Sequence, residues 1–403
     1  MNLSDPIAAL EIGTSRTVIA IGEPLEGGRV RVAAIGAIPS SGVRKSQIIN
    51  IAQARYSVES VLKRLADQSD YSIGQAYLVV SGPQIRTKPV IGQCQVDSGV
   101  VRDENLAEVD ALSYETGLSS DREPIELAQV CYQLDDVNGI VSPKGLSGRL
   151  LTLRSICIHG ASQRIAEARG AAHDAKLEIL PETYFAGTCA AAAVLNQQHK
   201  RDGALVIDLG GGSTAYTAWS EGRLVQAGVV GVGGDHVTND IRIAFSISMA
   251  QAEQLKLTAA SAVIRPEDAM QRVPVPDPMP GFKAAMVSKR ALNTVVNARL
   301  QELFAIVRAK LDEGNLLHRL NAGVFLTGGG AALPGVTELA EAVFGCGVRV
   351  GSIVPEIEGL ESEQNPASFA VQSGLLLLAQ QEGSQSTSIF DYVKKAFGGI
   401  FRK

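Results

Sequence analysis

Leu205-Val206-Ile207-Asp208-Leu209-Gly210-Gly211-Gly212-Ser213-Thr214 is an apolar run with one carboxylate near its end, then a triple-glycine turn and two hydroxyls. The alternating Ala215–Ser220 that follows predicts a second strand rather than a helix. That excludes two well-known phosphate loops. A P-loop needs Gly-Lys-Ser/Thr leading into a helix, and a dinucleotide fingerprint needs its glycines between a strand and a helix. Gly231-Val232-Gly233-Gly234 imitates part of the fingerprint without its spacing. What remains is strand, tight glycine turn, strand. The same unit stands near the N-terminus as Ile7–Ile12, Gly13-Thr14-Ser15 and Thr17–Ile21. Two such units predict duplicated α/β halves.

A third glycine turn, Thr327-Gly328-Gly329-Gly330, follows the apolar run Ala322–Leu326. Glycine lets backbone N–H groups approach phosphate oxygens, and Ser or Thr hydroxyls add donors. A carboxylate just before a turn, Glu11 or Asp208, can hold Mg²⁺ through water. Taken singly, each turn reads more readily as a plain hairpin with glycine at positive φ. Taken together, two facing hairpins with a carboxylate each and a third glycine turn form an ATP clamp between two lobes.

Around these units the chain alternates. Residues 82–155 hold short strand-like runs (Val90–Val96, Val130–Leu134, Arg149–Ile158) and a helical stretch, Glu104–Ser113, and predict a small inserted α+β subdomain. Ser162–Ala175, Gly187–His199, Asp235–Phe245, Ala250–Leu257 and the long Ser288–Glu313 predict helices. Residues 265–281, with five prolines, predict an irregular excursion. Residues 380–388 predict a disordered polar linker by composition.

This order of motifs resembles the actin, sugar-kinase and heat-shock-chaperone superfamily. Glu11–Thr17 matches the first phosphate motif, Asp208–Thr214 the second and Leu326–Gly335 the adenosine motif, with connecting helices near Gly187–Leu195 and Pro366–Ala379. Within it the chain is similar to the FtsA family of bacterial cell-division actin homologues over about residues 6–403. The segments that carry this are Tyr77–Gly82, Pro143–Gly148, Val206–Thr214 and Gly233–Ile241.

The resemblance implies a two-lobed actin-like α/β ATPase fold with an FtsA-type inserted subdomain and a C-terminal amphipathic helix. It divides the chain into subdomain 1A (1–81 and 159–198), 1C (82–158), 2A (199–232 and 316–365), 2B (233–315), a return helix (366–379), a linker (380–388) and a membrane-targeting helix (389–403). It implies ATP and Mg²⁺ as cofactors, held by Gly13, Thr14, Ser15, Gly210, Gly211, Gly212, Ser213, Thr214, Gly233, Gly234, Gly328, Gly329 and Gly330. Glu253 and Lys256 would contact the ribose; their spacing puts both on one helix face, which also suits a solvated salt pair. Arg299 and Glu302 match the helix that docks the FtsZ C-terminal peptide, and equally suit an exposed charged face. Further implied partners are a second copy of the chain in a filament, other division proteins and an anionic membrane surface. The implied location is peripheral, on the cytoplasmic face of the inner membrane at the mid-cell division site.

Two departures bear on hydrolysis. Glu11 stands where the superfamily usually has Asp, and Ala215-Tyr216 where the second motif normally ends in Asp. The connecting helix Ala186–Ala193 offers no carboxylate or amide to activate water, and Glu182 is the nearest acid. Tight nucleotide binding with slow or negligible turnover is expected.

The chain has 403 residues, 37 Lys+Arg against 42 Asp+Glu and a net charge of −5. The acidic balance argues against nucleic acid as a partner. Scattered cysteines without CxxC spacing argue against a disulfide framework or a zinc site. No apolar run reaches the ~18–20 residues that cross a bilayer. The charge is uneven, however: residues 388–403 carry +3, leaving −8 for residues 1–387. On a helix, Ile389, Phe390, Val393, Phe397, Ile400 and Phe401 fall within a stripe about 120° wide, flanked by Lys394 and other basic residues. Such a helix lies in a lipid headgroup layer.

Two other readings keep the fold: a PilM-like actin homologue of type IV pilus assembly, which would lack the tail, and a small-molecule phosphotransferase, which would need a general base at the clamp.

Overall fold

The computed structural model describes residues 6–114, 117–276 and 285–384, with side chains to residue 382. Two sheets of matching topology organise it. In the first, Ile7–Ile12, Arg16–Leu25 and Arg29–Pro39 form an antiparallel meander, and Gln75–Val80 and then Glu178–Phe185 extend it as parallel strands on the Ile7–Ile12 side. In the second, Ala204–Leu209, Thr214–Ser220 and Arg223–Val230 form the meander, extended in the same way by Gly323–Thr327 and Val348–Val350. The duplication read from the two glycine turns thus runs through five strands of each sheet. The first sheet adds one edge strand, Ile357–Glu358.

The central strands are apolar because both faces are covered. Every residue of Ala204–Leu209 is buried, as are Ile7–Leu10. Parallel neighbours require crossovers, and helices supply them. Ile51–Gln68 and Ser162–Asp174 serve the first sheet. Gly234–Phe245, Met249–Ala259, Lys289–Glu313 and Val336–Phe344 serve the second. Lys289–Glu313 buries Leu292, Val296, Leu300, Leu303, Val307 and Leu311, the face its periodicity predicts.

Two helices join the halves. Ala186–Val194 is buried along its whole length, and Ala370–Ser384 packs against it. A methyl group added at Gly374 would stand 1.8 Å from the Cys189 carbonyl oxygen, so the two backbones touch. Alanine in one helix and glycine in the other permit that approach.

Between the fourth and fifth strands of the first sheet lies the inserted unit. It is an antiparallel sheet in the order Arg86–Gln95, Leu150–Ala161, Arg122–Leu134, Val137–Ile140, with the helix Asp103–Ser113 against it. It also touches the second sheet: the Arg223 guanidinium donates to the Val130 carbonyl at 2.7 Å, and the Thr87 hydroxyl to that of Ala227 at 3.2 Å.

Three segments differ from expectation. The helix expected over Gly187–His199 is two helices, because the Asn196 side chain accepts from the His199 N–H and caps a new one, Gln197–Asp202. The strand expected at Val130–Leu134 begins at Arg122. The linker expected from residue 380 is helical through Ser384, and the Tyr184 hydroxyl donates to Glu382 at 2.7 Å, anchoring that turn. The membrane residues named above, Ile389 through Phe401, lie outside the described residues. Among the described residues no helix is long and apolar enough to cross a membrane.

Candidate functional site

The first two glycine turns meet tip to tip. A methyl group added at Gly211 would stand 1.9 Å from Ser15 Oγ, and one at Gly212 would stand 2.2 Å from Thr14 Oγ1. The hydroxyl side chains of the first turn therefore fill the space that the glycines of the second leave open. A third tip joins them. The short strands Val43–Arg44 and Gln47–Ile48 turn through Lys45 and Ser46. The Ser46 N–H donates to Thr14 Oγ1 at 2.7 Å, and the Ser46 and Ser213 hydroxyls share a hydrogen bond of 3.0 Å.

Beneath the tips lie the carboxylates. Burial, and then the charge of Asp208, push the Glu11 carboxyl up to about 7, against the pull of Arg16 and of the Gln372 amide that donates to it. Burial pushes Asp208 up to about 6, against the Thr327 hydroxyl and Arg16. The buried Gln372 Oε1 has no hydrogen-bond partner. The two carboxylates, with the Asp208 charge raising the proton affinity of Glu11, form an all-oxygen donor set with the orphaned amide oxygen beside them. That set fits a hard divalent cation such as Mg²⁺.

The third glycine turn follows the strand beside Asp208, since Asp208 pairs with Thr327. Gly328 has φ +78°, and a methyl group there would stand 2.5 Å from Asp208 Oδ1. Gly330 packs on Leu209, while Gly329 faces open space. Gly233 and Gly234 form the adjoining wall. Their N–H groups are already taken, by His236 Nδ1 at 3.2 Å and by the Gly210 carbonyl at 2.9 Å. They contribute close approach rather than free donors. Behind them Lys256 Nζ reaches Glu253 at 2.7 Å, Thr238 Oγ1 at 2.9 Å and the Gly234 carbonyl at 3.3 Å. The three-residue spacing does put Glu253 and Lys256 on one helix face, and that face adjoins the second turn.

Arg299 and Glu302 stand apart from this cluster. Arg299 forks onto both oxygens of Asp240, at 2.6 and 3.1 Å, and reaches Glu302 at 2.5 Å.

Sequence reasoning missed Gln372, Arg16, the Lys45–Ser46 tip and Glu126. Gln372 carried a signal, as a polar residue opening the apolar stretch Ala370–Leu378. Glu126 carried none. It comes from the inserted sheet and accepts a 2.7 Å hydrogen bond from Thr188 of the alanine-rich connecting helix; burial pushes its carboxyl up to about 7. The connecting helix owns no carboxylate, but the insertion brings one to it. The charge of Glu182 acts elsewhere, helping to raise Tyr77 and Glu382.

The chain is similar to known proteins in sequence and in fold. The family model described as "Cell division protein FtsA" matches residues 205–373. The "Cell division protein FtsA" of Pseudomonas aeruginosa is 28% identical over 387 residues, covering 95% of this chain and 91% of that protein. The protein of that name from Escherichia coli K12 is 26% identical over 377 residues, covering 92% and 89%. Among solved structures, the "PilM-PilN type IV pilus biogenesis complex" matches with a TM-score of 0.61 at 17% identity, covering 93% of this chain and 98% of that one. MreB5 of Spiroplasma citri bound to ADP matches with a TM-score of 0.57 at 14% identity, covering 98% and 100%. The structural matches speak for an actin-like fold, and the sequence matches point within it: the chain is similar over most of its length to the actin-like cell-division proteins of the FtsA family.

Proposed function

We propose that this chain binds ATP with Mg²⁺ between its facing glycine turns, polymerises on the inner face of the cytoplasmic membrane, and tethers the FtsZ ring and later division proteins there. The observation that carries the reading is the meeting of three glycine turns over Asp208 and Glu11 in a chain similar to that family. MreB5, of like fold, was solved with ADP and with AMPPNP. Gly13, Thr14 and Ser15 with Gly210–Thr214 would hold the phosphates, Glu253 and Lys256 the ribose, and Gly328–Gly330 the base. Asp208 and Glu11 would hold Mg²⁺ through water, and the ion when bound would offset the phosphate charge. Arg299 and Glu302 would face the FtsZ C-terminal peptide. The basic, apolar stripe of residues 389–403 would seat the protein on anionic lipid, where each basic residue near the surface adds roughly 1 kcal/mol. Turnover is expected below ~1 s⁻¹, under the ordinary enzyme range.

The test is negative-stain microscopy on anionic lipid monolayers, with and without ATP, using the full chain and a chain ending at Gly383. Filaments that need both ATP and the tail are the expected result. Monomers in every condition would overturn it and favour the pilus-type reading that the PilM likeness keeps in view.

A further inference from the structure

Lys45 and Ser46 sit at φ 50° and 55°, a left-handed pair without glycine. Such a pair is costly for ordinary residues, so the surroundings must hold it. Ser46 is hydrogen-bonded to both glycine turns. The Ser46 N–H is bound by Thr14 Oγ1, and the Ser46 hydroxyl by Ser213. A methyl group added at Gly212 would stand 2.8 Å from Lys45 Cα. The tip is thus wedged between the halves of the molecule. Its cation is uncommitted: Lys45 is exposed and makes no ion pair among the described residues. Its charge is nonetheless felt inside the site, where burial first and then Lys45 hold the His236 imidazole below its usual value.

The second turn also has a direction. Its Gly210–Gly211 end is sewn to the wall of Gly233, Gly234 and Lys256 by hydrogen bonds of 2.9 Å to Gly234 and 2.8 Å to Asp235. Its Gly212–Ser213 end faces Thr14, Lys45 and Ser46. A nucleotide with its ribose at the Lys256 wall directs its last phosphate toward the Lys45–Ser46 tip.

Resting on the ATP reading above, we propose that the Lys45–Ser46 tip selects nucleoside triphosphates over diphosphates by binding the terminal phosphate. The Ser46–Ser213 contact is a neutral hydroxyl pair. A phosphate inserted there accepts from both hydroxyls and from the Lys45 ammonium, and charge-assisted bonds are roughly twice as strong as neutral ones. A diphosphate stops short and leaves the Thr14–Ser46–Ser213 chain closed. The tip then reports to both halves whether the third phosphate is present.

Two variants tolerate the left-handed backbone and so spare the fold: Lys45→Asn and Ser46→Gly. Affinities of the full chain for Mg·AMPPNP and Mg·ADP are measured by fluorescent-nucleotide competition, with melting temperature without nucleotide as the folding control. Lys45→Asn is expected to weaken AMPPNP at least tenfold and ADP less than twofold, with Lys45→Arg restoring most of the difference. Ser46→Gly is expected to shrink the preference for AMPPNP severalfold. Equal losses for both nucleotides, or unchanged affinities, overturn the proposal. A wild-type chain that binds neither nucleotide overturns the ATP reading itself, and this one with it.

Discussion

The two halves share a five-strand topology yet treat their glycine turns differently. The first turn keeps one glycine and presents Thr14 and Ser15; the second has Gly210, Gly211 and Gly212 in a row. The reason is mutual. Hydroxyls of one turn occupy the volumes that side chains of the other would need. A symmetric pair, both with side chains or both bare, would either clash or leave the tips unconnected. The asymmetry extends outward. Between corresponding fourth and fifth strands, the first half inserts a whole sheet, where the second has the 3₁₀ turn Gly329–Ala332 and the helix Val336–Phe344.

The fit of the tips is where the comparison breaks most visibly. Gly212→Val meets Thr14 Oγ1 and also the Lys45 backbone, which cannot swing away as a side chain can. We expect a loss of about 3 kcal/mol, the upper range for overpacking, by denaturant unfolding, with nucleotide binding abolished. Gly211→Ala meets chiefly the Ser15 hydroxyl and should lose about 1–2 kcal/mol. Adding Ser15→Gly should return most of that loss, since residues in contact couple by 0.5–3 kcal/mol. Additive effects of the two substitutions would mean that the turns do not touch.

How much of this could be read from the sequence depends on range. The strand–glycine–strand units are local patterns, and from them came the duplication, the carboxylates and the neighbouring turns. Gln372 meets Glu11 across 361 residues of separation, and Glu126 meets Thr188 across 62. No periodicity encodes such meetings, which depend on how the sheets and joining helices stack. Composition misled in two places for the same reason. Ala186–Val194 is poor in chemistry because it must lie against Gly374, and polar residues 380–384 are helical because Tyr184 holds Glu382.

The insertion supplies a second way to sharpen the contrast. Its Glu126 has a carboxyl raised from 4.5 to about 7 by burial. The unfolded chain releases that proton near pH 4.5, while the folded one keeps it until near pH 7. Folding is therefore favoured at low pH and loses stability as pH rises through that window. Glu126→Gln keeps an acceptor for Thr188 and removes the titration. It should stabilise the chain by about 3 kcal/mol at pH 8 relative to wild type, with the difference gone below about pH 4. A difference constant from pH 5 to pH 8 would show that Glu126 is not desolvated at the connecting helix.

The smallest expected effect lies in the crossover between the third and fourth strands of the second half, where several helices stand in place of the single Ile51–Gln68 of the first. Arg299 ties Lys289–Glu313 to Gly234–Phe245 through its fork on Asp240, with both side chains about a quarter exposed, at 26% and 24%. Solvent screening at that exposure holds the pair to under about 1 kcal/mol. Arg299→Lys keeps the charge but loses the two-pronged geometry, so it should recover only part of the loss from Arg299→Ala. Binding of an FtsZ C-terminal peptide, measured by fluorescence anisotropy, separates the two roles of the residue. If Arg299 serves the peptide, Arg299→Ala weakens binding far more than it lowers stability. If it only fastens one helix to another, the melting point shifts slightly and the peptide binds as before.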